Sequence, residues 1–169
     1  RQRQMCIETA VEPNQAGNHQ CGTNPQNQNK QDTQTLLELA KARGWGTGVV
    51  TTTRITHATP ASTYAHICHR DAENDIASQL VQSSQGDTYQ RYNVKQNGAD
   101  VILGGGKRQF LPKDQGGERI DQRNLIAEMQ QAGYRVVYDQ TQLSQMKLGK
   151  NEKLLLSLYT SDAADDSLR

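Results

Sequence analysis

The residues able to do chemistry gather in one short run. Arg54-Ile55-Thr56-His57-Ala58-Thr59-Pro60 follows the β-branched stretch Gly48–Thr53, and Arg70 stands eleven residues beyond Thr59. A Thr hydroxyl is a hard oxygen donor of the kind Mg²⁺ accepts. An Arg side chain is a planar fork that fits two oxygens of a phosphate. Each residue also has a plain structural use. Thr at a helix N-cap with Pro at the first helical position is ordinary helix punctuation, and spacing alone favours that use for Thr59-Pro60. His57 alone reads first as a loop or capping histidine and gains interest only from standing two residues before a hydroxyl at the same strand end. Arg70, at the end of a helical segment, suits the helix dipole or a salt bridge to Asp71 or Asp75. These roles do not exclude one another.

Other clusters carry less. If residues 60–67 are helical, His66 and His69 share a face while Cys68 points elsewhere. No third and fourth ligand stand nearby, so a zinc site is not expected there. Gly104–Lys107 is not a phosphate-binding Walker loop, because Val101 stands where its first Gly belongs and Arg108 where Ser or Thr belongs. It reads as a tight turn. Three Cys at wide spacing give no disulfide framework, although a Cys6–Cys21 bridge is open to an exported chain.

The elements that must position these residues are legible in outline. A chain of 169 residues suits one domain or part of a larger one. A net charge of +1 gives no polyanion footprint, so nucleic acid is not the expected partner. No apolar run approaches the ~18 residues of a membrane span, and no secretory signal is visible. Residues 1–34 are rich in Gln and Asn and read as a long loop, with a short edge strand around Met5–Ile7. Organisation begins at residue 35. Leu36, Leu37 and Ala40 fall on one helical face, Thr35 and Glu38 have capping-box spacing, and Gly44 terminates. Gly48–Thr53 reads as a central strand. A second helix runs from Asp71, as its N-cap, through Val81, with Ile76, Ala77, Leu80 and Val81 inward. "ADVILGGG" is a strand, "ERIDQRNLIAEMQQAG" a helix, "YRVVYD" a strand, "TQLSQMK" a short helix and "KLLLSLY" one more strand. Alternation at this spacing predicts parallel strands in an α/β sandwich of three layers. In such sheets ligands bind outside the carboxyl ends of the strands, where both "RITHATP" and "LGGGKRQF" fall.

The run "LLELAKARGWGTGVVTTTRITHATPASTYAH", then Arg70 and an acidic helix, then "DVILGGGKRQFLP" and "RIDQRNLIAEMQQAGYRVV", resembles the middle of alkaline phosphatases. The resemblance runs from about Cys6 to Leu158 and is densest over Thr47–His66. It implies a three-layer α/β/α fold with a mostly parallel central sheet. It also implies a dimeric, periplasmic or secreted enzyme that hydrolyses phosphate monoesters through a phosphoseryl intermediate, with two Zn²⁺ and one Mg²⁺. By motif position it implies Thr59 as a hydroxyl ligand of Mg²⁺, His57 as a contact to Mg²⁺ through water, and Arg70 as the phosphate-gripping Arg. "THATP" argues against a relative acting on diesters or sulfates.

The same resemblance exposes gaps. No Asp-Ser-Ala or Asp-Ser-Gly nucleophile segment occurs, and the zinc ligands and the Glu of the Mg²⁺ site are absent. Asp166-Ser167 is followed by Leu168 and stands in the wrong order. The expected division is therefore a Gln/Asn-rich loop region 1–34, a partial phosphatase-like α/β domain 35–159, and a tail 160–169 that departs from the pattern. An incomplete chain, inactive alone, is the expectation. The rival is a non-catalytic remnant that holds phosphate or a partner protein.

Overall fold

The computed structural model describes residues 35–65, 70–81, 98–147, 149 and 152–157. The expected edge strand at 5–7, the Cys6–Cys21 pairing, His66, Cys68 and His69 lie outside them.

Helix α1 (Leu36–Ala42) starts where its capping box predicts. The Glu38 amide donates to Thr35 Oγ1 at 3.2 Å, and the Thr35 amide donates to Glu38 Oε2 at 2.7 Å. Four strands follow: β1 (Gly48–Arg54), β2 (Val101–Gly105), β3 (Tyr134–Val137) and β4 (Lys153–Ser157). All pair in parallel, in the order β1-β2-β4-β3. Between them lie α2 (Ala58–Ala61), α3 (Glu73–Ser78), α4 (Leu125–Gln131) and α5 (Gln140–Gln145).

A parallel sheet of this kind is apolar on both faces. On one face Ile102, Leu155 and Tyr134 meet Tyr64, Ile76 and Leu80 and the α4 residues Leu125, Ile126 and Met129. On the other, Val137, Leu154 and Leu156 meet Leu103 of β2 and, from α5 and its C-cap, Leu143 and Met146. Leu154, Leu155 and Leu156 thus alternate between the two cores, which makes the three-layer α/β architecture. Ile76 and Leu125 are fully buried, and truncating either to Ala would cost about 2–5 kcal/mol by opening a cavity.

Four expectations are corrected. Leu36 is 82% exposed, because neighbours on a helix differ by ~100° and it is Leu37 that touches the core. Strand β1 is an edge of the described sheet rather than central, since β4 enters between β2 and β3. Helix α3 begins at Glu73, with Ala72 as cap, two residues after the predicted Asp71 cap. Its first turn is fixed instead by the Glu73 side chain, described below. The third predicted helix shortens to Leu125–Gln131 with Asn124 as cap. Arg119, just upstream, is 1% exposed. A buried guanidinium must be fully bonded, and it donates to Asn74 O, Gln109 O, Ser78 Oγ and Asp121. Residues 119–123 follow those partners and not a helical path.

Candidate functional site

The carboxyl end of β1 is built by three threonines, two glycines and one carboxylate. β1 and β2 stay in register from Gly48 to Val50, and Arg54 then pairs with Gly105, so residues 51–53 face Gly104 alone. Thr53 turns its amide to Thr51 Oγ1 at 3.1 Å. Only glycine fits beneath this bulge, since a Cβ at Gly104 would sit 2.8 Å from Thr51 Cγ2. Gly106, at φ +88°, turns the chain after β2 through the left-handed region, and a Cβ there would sit 3.0 Å from Arg54 Cβ. The predicted tight turn at Gly104–Lys107 is corrected: Gly104 and Gly105 still belong to β2, the chain turns at Gly106 alone, and a 3₁₀ turn follows at Lys107–Phe110.

Residues 54–57 then close a turn, with the His57 amide donating to Arg54 O at 3.0 Å. The turn is held at several points. Ile55 N donates to Gly105 O at 3.1 Å. Ile55 O accepts from the Tyr64 hydroxyl at 2.8 Å. Arg54 donates from Nε and from the adjacent NH2 group to the Glu73 carboxylate at 3.0–3.2 Å. Thr56, fully buried, donates its hydroxyl to Glu73 Oε2. Burial, seconded by the Glu73 charge, raises the Tyr64 pKa well above its ordinary value, which keeps this hydroxyl a donor.

The three predicted site residues sit around this turn. His57 occupies the N-cap position of α2 but makes no side-chain capping bond. Its Nε2 lies 3.4 Å from Arg70 NH2. Arg70 and His57 are therefore brought together. Thr59 is exposed within α2, its carbonyl accepting from Ser62 Oγ at 2.7 Å, and its hydroxyl bonds no described residue. Helix punctuation at Thr59 is corrected. The first helical bond runs from Ala61 N to His57 O, which makes His57 the cap and puts Pro60 third in the helix. α2 ends at Ala61, so Arg70 stands in a turn and not at the end of a long helix.

Sequence reasoning missed Arg54, Thr56 and Glu73. The available signal was the spacing of Arg54 and Thr56, two apart at the end of an extended run and so on one side of it. Nothing local pointed to Glu73, which lies 19 residues from Arg54.

For a metal, His57 and Thr59 are both neutral donors. Mg²⁺ is ordinarily held with one or two carboxylates, and among the described residues no group of three or more His, Cys, Asp or Glu could hold a metal ion. These two side chains therefore fit one side of a cation site, not a whole one.

The chain is 36% identical over 154 residues to a membrane-bound alkaline phosphatase of Bombyx mori, covering 75% of this chain and 26% of that protein. It is 39% identical over 116 residues to alkaline phosphatase 3 of Bacillus subtilis, covering 69% and 22%. The chain thus spans about a quarter of the length of these curated relatives. Among solved structures, the alkaline phosphatase of the Antarctic bacterium TAB5 superposes with a TM-score of 0.55 at 29% identity, over 73% of this chain and 30% of that one. A variant of that enzyme with a histidine replaced by aspartate, and with Mg bound in its M3 site, superposes at 0.52 and 26% identity, over 75% and 30%. The family model for alkaline phosphatase matches residues 9–168, and on that span the chain belongs to the alkaline phosphatase family.

Proposed function

We propose that the 54–73 edge is the phosphate-gripping and magnesium-side part of a phosphate monoester hydrolase working through a phosphoseryl intermediate. The observation that carries the reading is the approach of Arg70 NH2 to His57 Nε2, 3.4 Å, at the carboxyl end of a parallel strand. Arg70 would hold two phosphoryl oxygens with its fork, placing fixed positive charge where negative charge develops during transfer. The Thr59 hydroxyl would be a direct ligand of Mg²⁺, and His57 would contact it through water. When bound, the metal ions supply positive charge beside the transferring phosphoryl group. The chain holds no Asp-Ser-Ala or Asp-Ser-Gly segment, so the nucleophile and the ligands of two Zn²⁺ would come from outside it, and the 169-residue chain alone would be inactive. Export to the periplasm or cell exterior and a dimeric complete enzyme belong to the same proposal. Among the described residues no helix is long and apolar enough to cross a membrane.

The test is release of nitrophenol from p-nitrophenyl phosphate, with Zn²⁺ and Mg²⁺ supplied. The purified 169-residue chain should show none above a heat-killed control. The product of the open reading frame that encodes it should hydrolyse the ester. Activity in the chain alone would refute the mechanism. An inactive full product that still binds phosphate would favour the rival reading, a non-catalytic remnant.

A further inference from the structure

We infer that Glu73 is a positioning residue for the phosphate grip, its carboxylate fixing the Arg70 guanidinium relative to the His57 turn. The inference rests on the role proposed for Arg70. One carboxylate here accepts from Arg54 Nε, from Arg54 NH2 and from Thr56 Oγ1. Both ends of the ion pair are largely withdrawn from water, with side-chain exposures of 16% for Arg54 and 14% for Glu73. A two-pronged Arg–carboxylate contact fixes direction as well as distance. Its position in the chain matters equally. Arg54 and Thr56 stand three residues and one residue before His57, within the turn closed by the His57 amide. Glu73 opens α3 three residues after Arg70. The same carboxylate therefore ties the segment that presents the imidazole to the segment that presents the guanidinium. The Gly106 turn, packed on Arg54 Cβ, closes the remaining side.

Stability alone is a poor reason for such a pair. The desolvation of two partly buried charges offsets much of their attraction, and apolar replacements are often as stable. A role in geometry and a role in folding then make different predictions. The protein to use is the product of the complete open reading frame, and the probe is inorganic phosphate titrated by calorimetry, with thermal melts alongside. Glu73→Gln should weaken phosphate binding about tenfold, whereas in an Arg70→Ala background the same change should alter it less than about twofold, because the residue acted through Arg70. The combined change Arg54→Met, Thr56→Val and Glu73→Leu, which leaves no buried donor without its acceptor, should keep the melting temperature yet lose phosphate affinity as Glu73→Gln does. Equal losses from Glu73→Gln in both backgrounds would overturn the inference, as would undiminished binding in either Glu73 variant. Undiminished binding in Arg70→Ala would instead overturn the role of Arg70 itself, and a parent protein that binds no phosphate would overturn both.

Discussion

At the amino end of the sheet, Asp100 Oδ1 accepts from Lys41 Nζ at 2.8 Å, and Oδ2 accepts from the Thr47 amide and hydroxyl at 2.8 and 3.1 Å. At the carboxyl end, Glu73 accepts from Arg54 and Thr56. Each carboxylate thus joins the two neighbouring segments of chain around β1. The Asp100 network closes on itself, since its donors come from α1 and from the residue before β1, and its own carbonyl accepts from Leu154 N at 2.8 Å. The Glu73 network stops one residue short of His57. Past it stand an imidazole met by Arg70 and a Thr59 hydroxyl with no bond to a described residue. Polar groups whose hydrogen-bonding capacity the described residues leave unfilled, held on a turn at the carboxyl end of a parallel sheet, suit a ligand. A saturated set at the other end suits the fold.

The sharpest way to break this contrast is to remove one group from each end. In the product of the complete open reading frame, if the proposed activity holds, Arg70→Ala should lower kcat/KM for p-nitrophenyl phosphate by about 10²–10³, the scale of losing one charge-stabilising donor, with the melting temperature unchanged. A loss of stability with little loss of rate would place Arg70 among the structural groups. Asp100→Ala should do the reverse. Three hydrogen bonds to a charged acceptor disappear, and destabilisation of about 2–3 kcal/mol is expected, while phosphate affinity in calorimetry stays as it was.

Acid sharpens the same point. Burial works to raise the Asp100 pKa, but the hydrogen bonds and charge of Lys41 and the bonds from Thr47 together outweigh it and leave the pKa lowered. A carboxylate with a depressed folded pKa contributes stability above its unfolded value, about 3.9 for Asp. That contribution is lost as pH falls through the folded value. Asp100→Asn should therefore flatten the acid limb of stability in urea titrations at successive pH values. Asp121 is lowered similarly by Arg119 against its own desolvation, so part of the limb should persist. An unchanged limb would show that Asp100 carries no such linkage.

What could be read from the sequence was local. The capping box at Thr35 and Glu38 and the inward set Ile76, Ala77, Leu80 and Val81 depend on neighbours within one or two turns; the box forms and all four side chains are buried, although the helix predicted to reach Val81 ends at Ser78, before Leu80 and Val81. Residues that could carry phosphate chemistry were marked by type and by family pattern, not by position in space. What escaped was long-range. Nothing within "KLLLSLY" announces that this strand enters between two earlier ones. The Thr59-Pro60 pair carries the composition of a cap, but the turn anchored by Glu73 starts the helix two residues earlier. Arg119 looked like the first turn of a helix until its buried partners, up to 45 residues away, drew it out.

The smallest effect concerns two tyrosines, one beside each carboxylate. Tyr134 donates its hydroxyl to Ala99 O at 2.7 Å near Asp100, as Tyr64 donates to Ile55 O near Glu73. Burial first, and the Asp100 charge second, push the Tyr134 pKa to about 12. A phenol raised this way favours folding fully below its unfolded value, about 10. That contribution falls away as pH rises from about 10 to about 12. Tyr134→Phe should cost about 1 kcal/mol at neutral pH, because the Ala99 carbonyl loses its partner. It should also make the alkaline loss of stability shallower without touching phosphate binding. Tyr64→Phe removes a bond of the same kind, but one that holds the turn presenting His57, so phosphate affinity should fall along with stability. Equal phosphate affinity in the two variants would mean that the carboxyl-end turn is held well enough without its tyrosine, and the contrast between the ends would then rest on the Glu73 carboxylate alone.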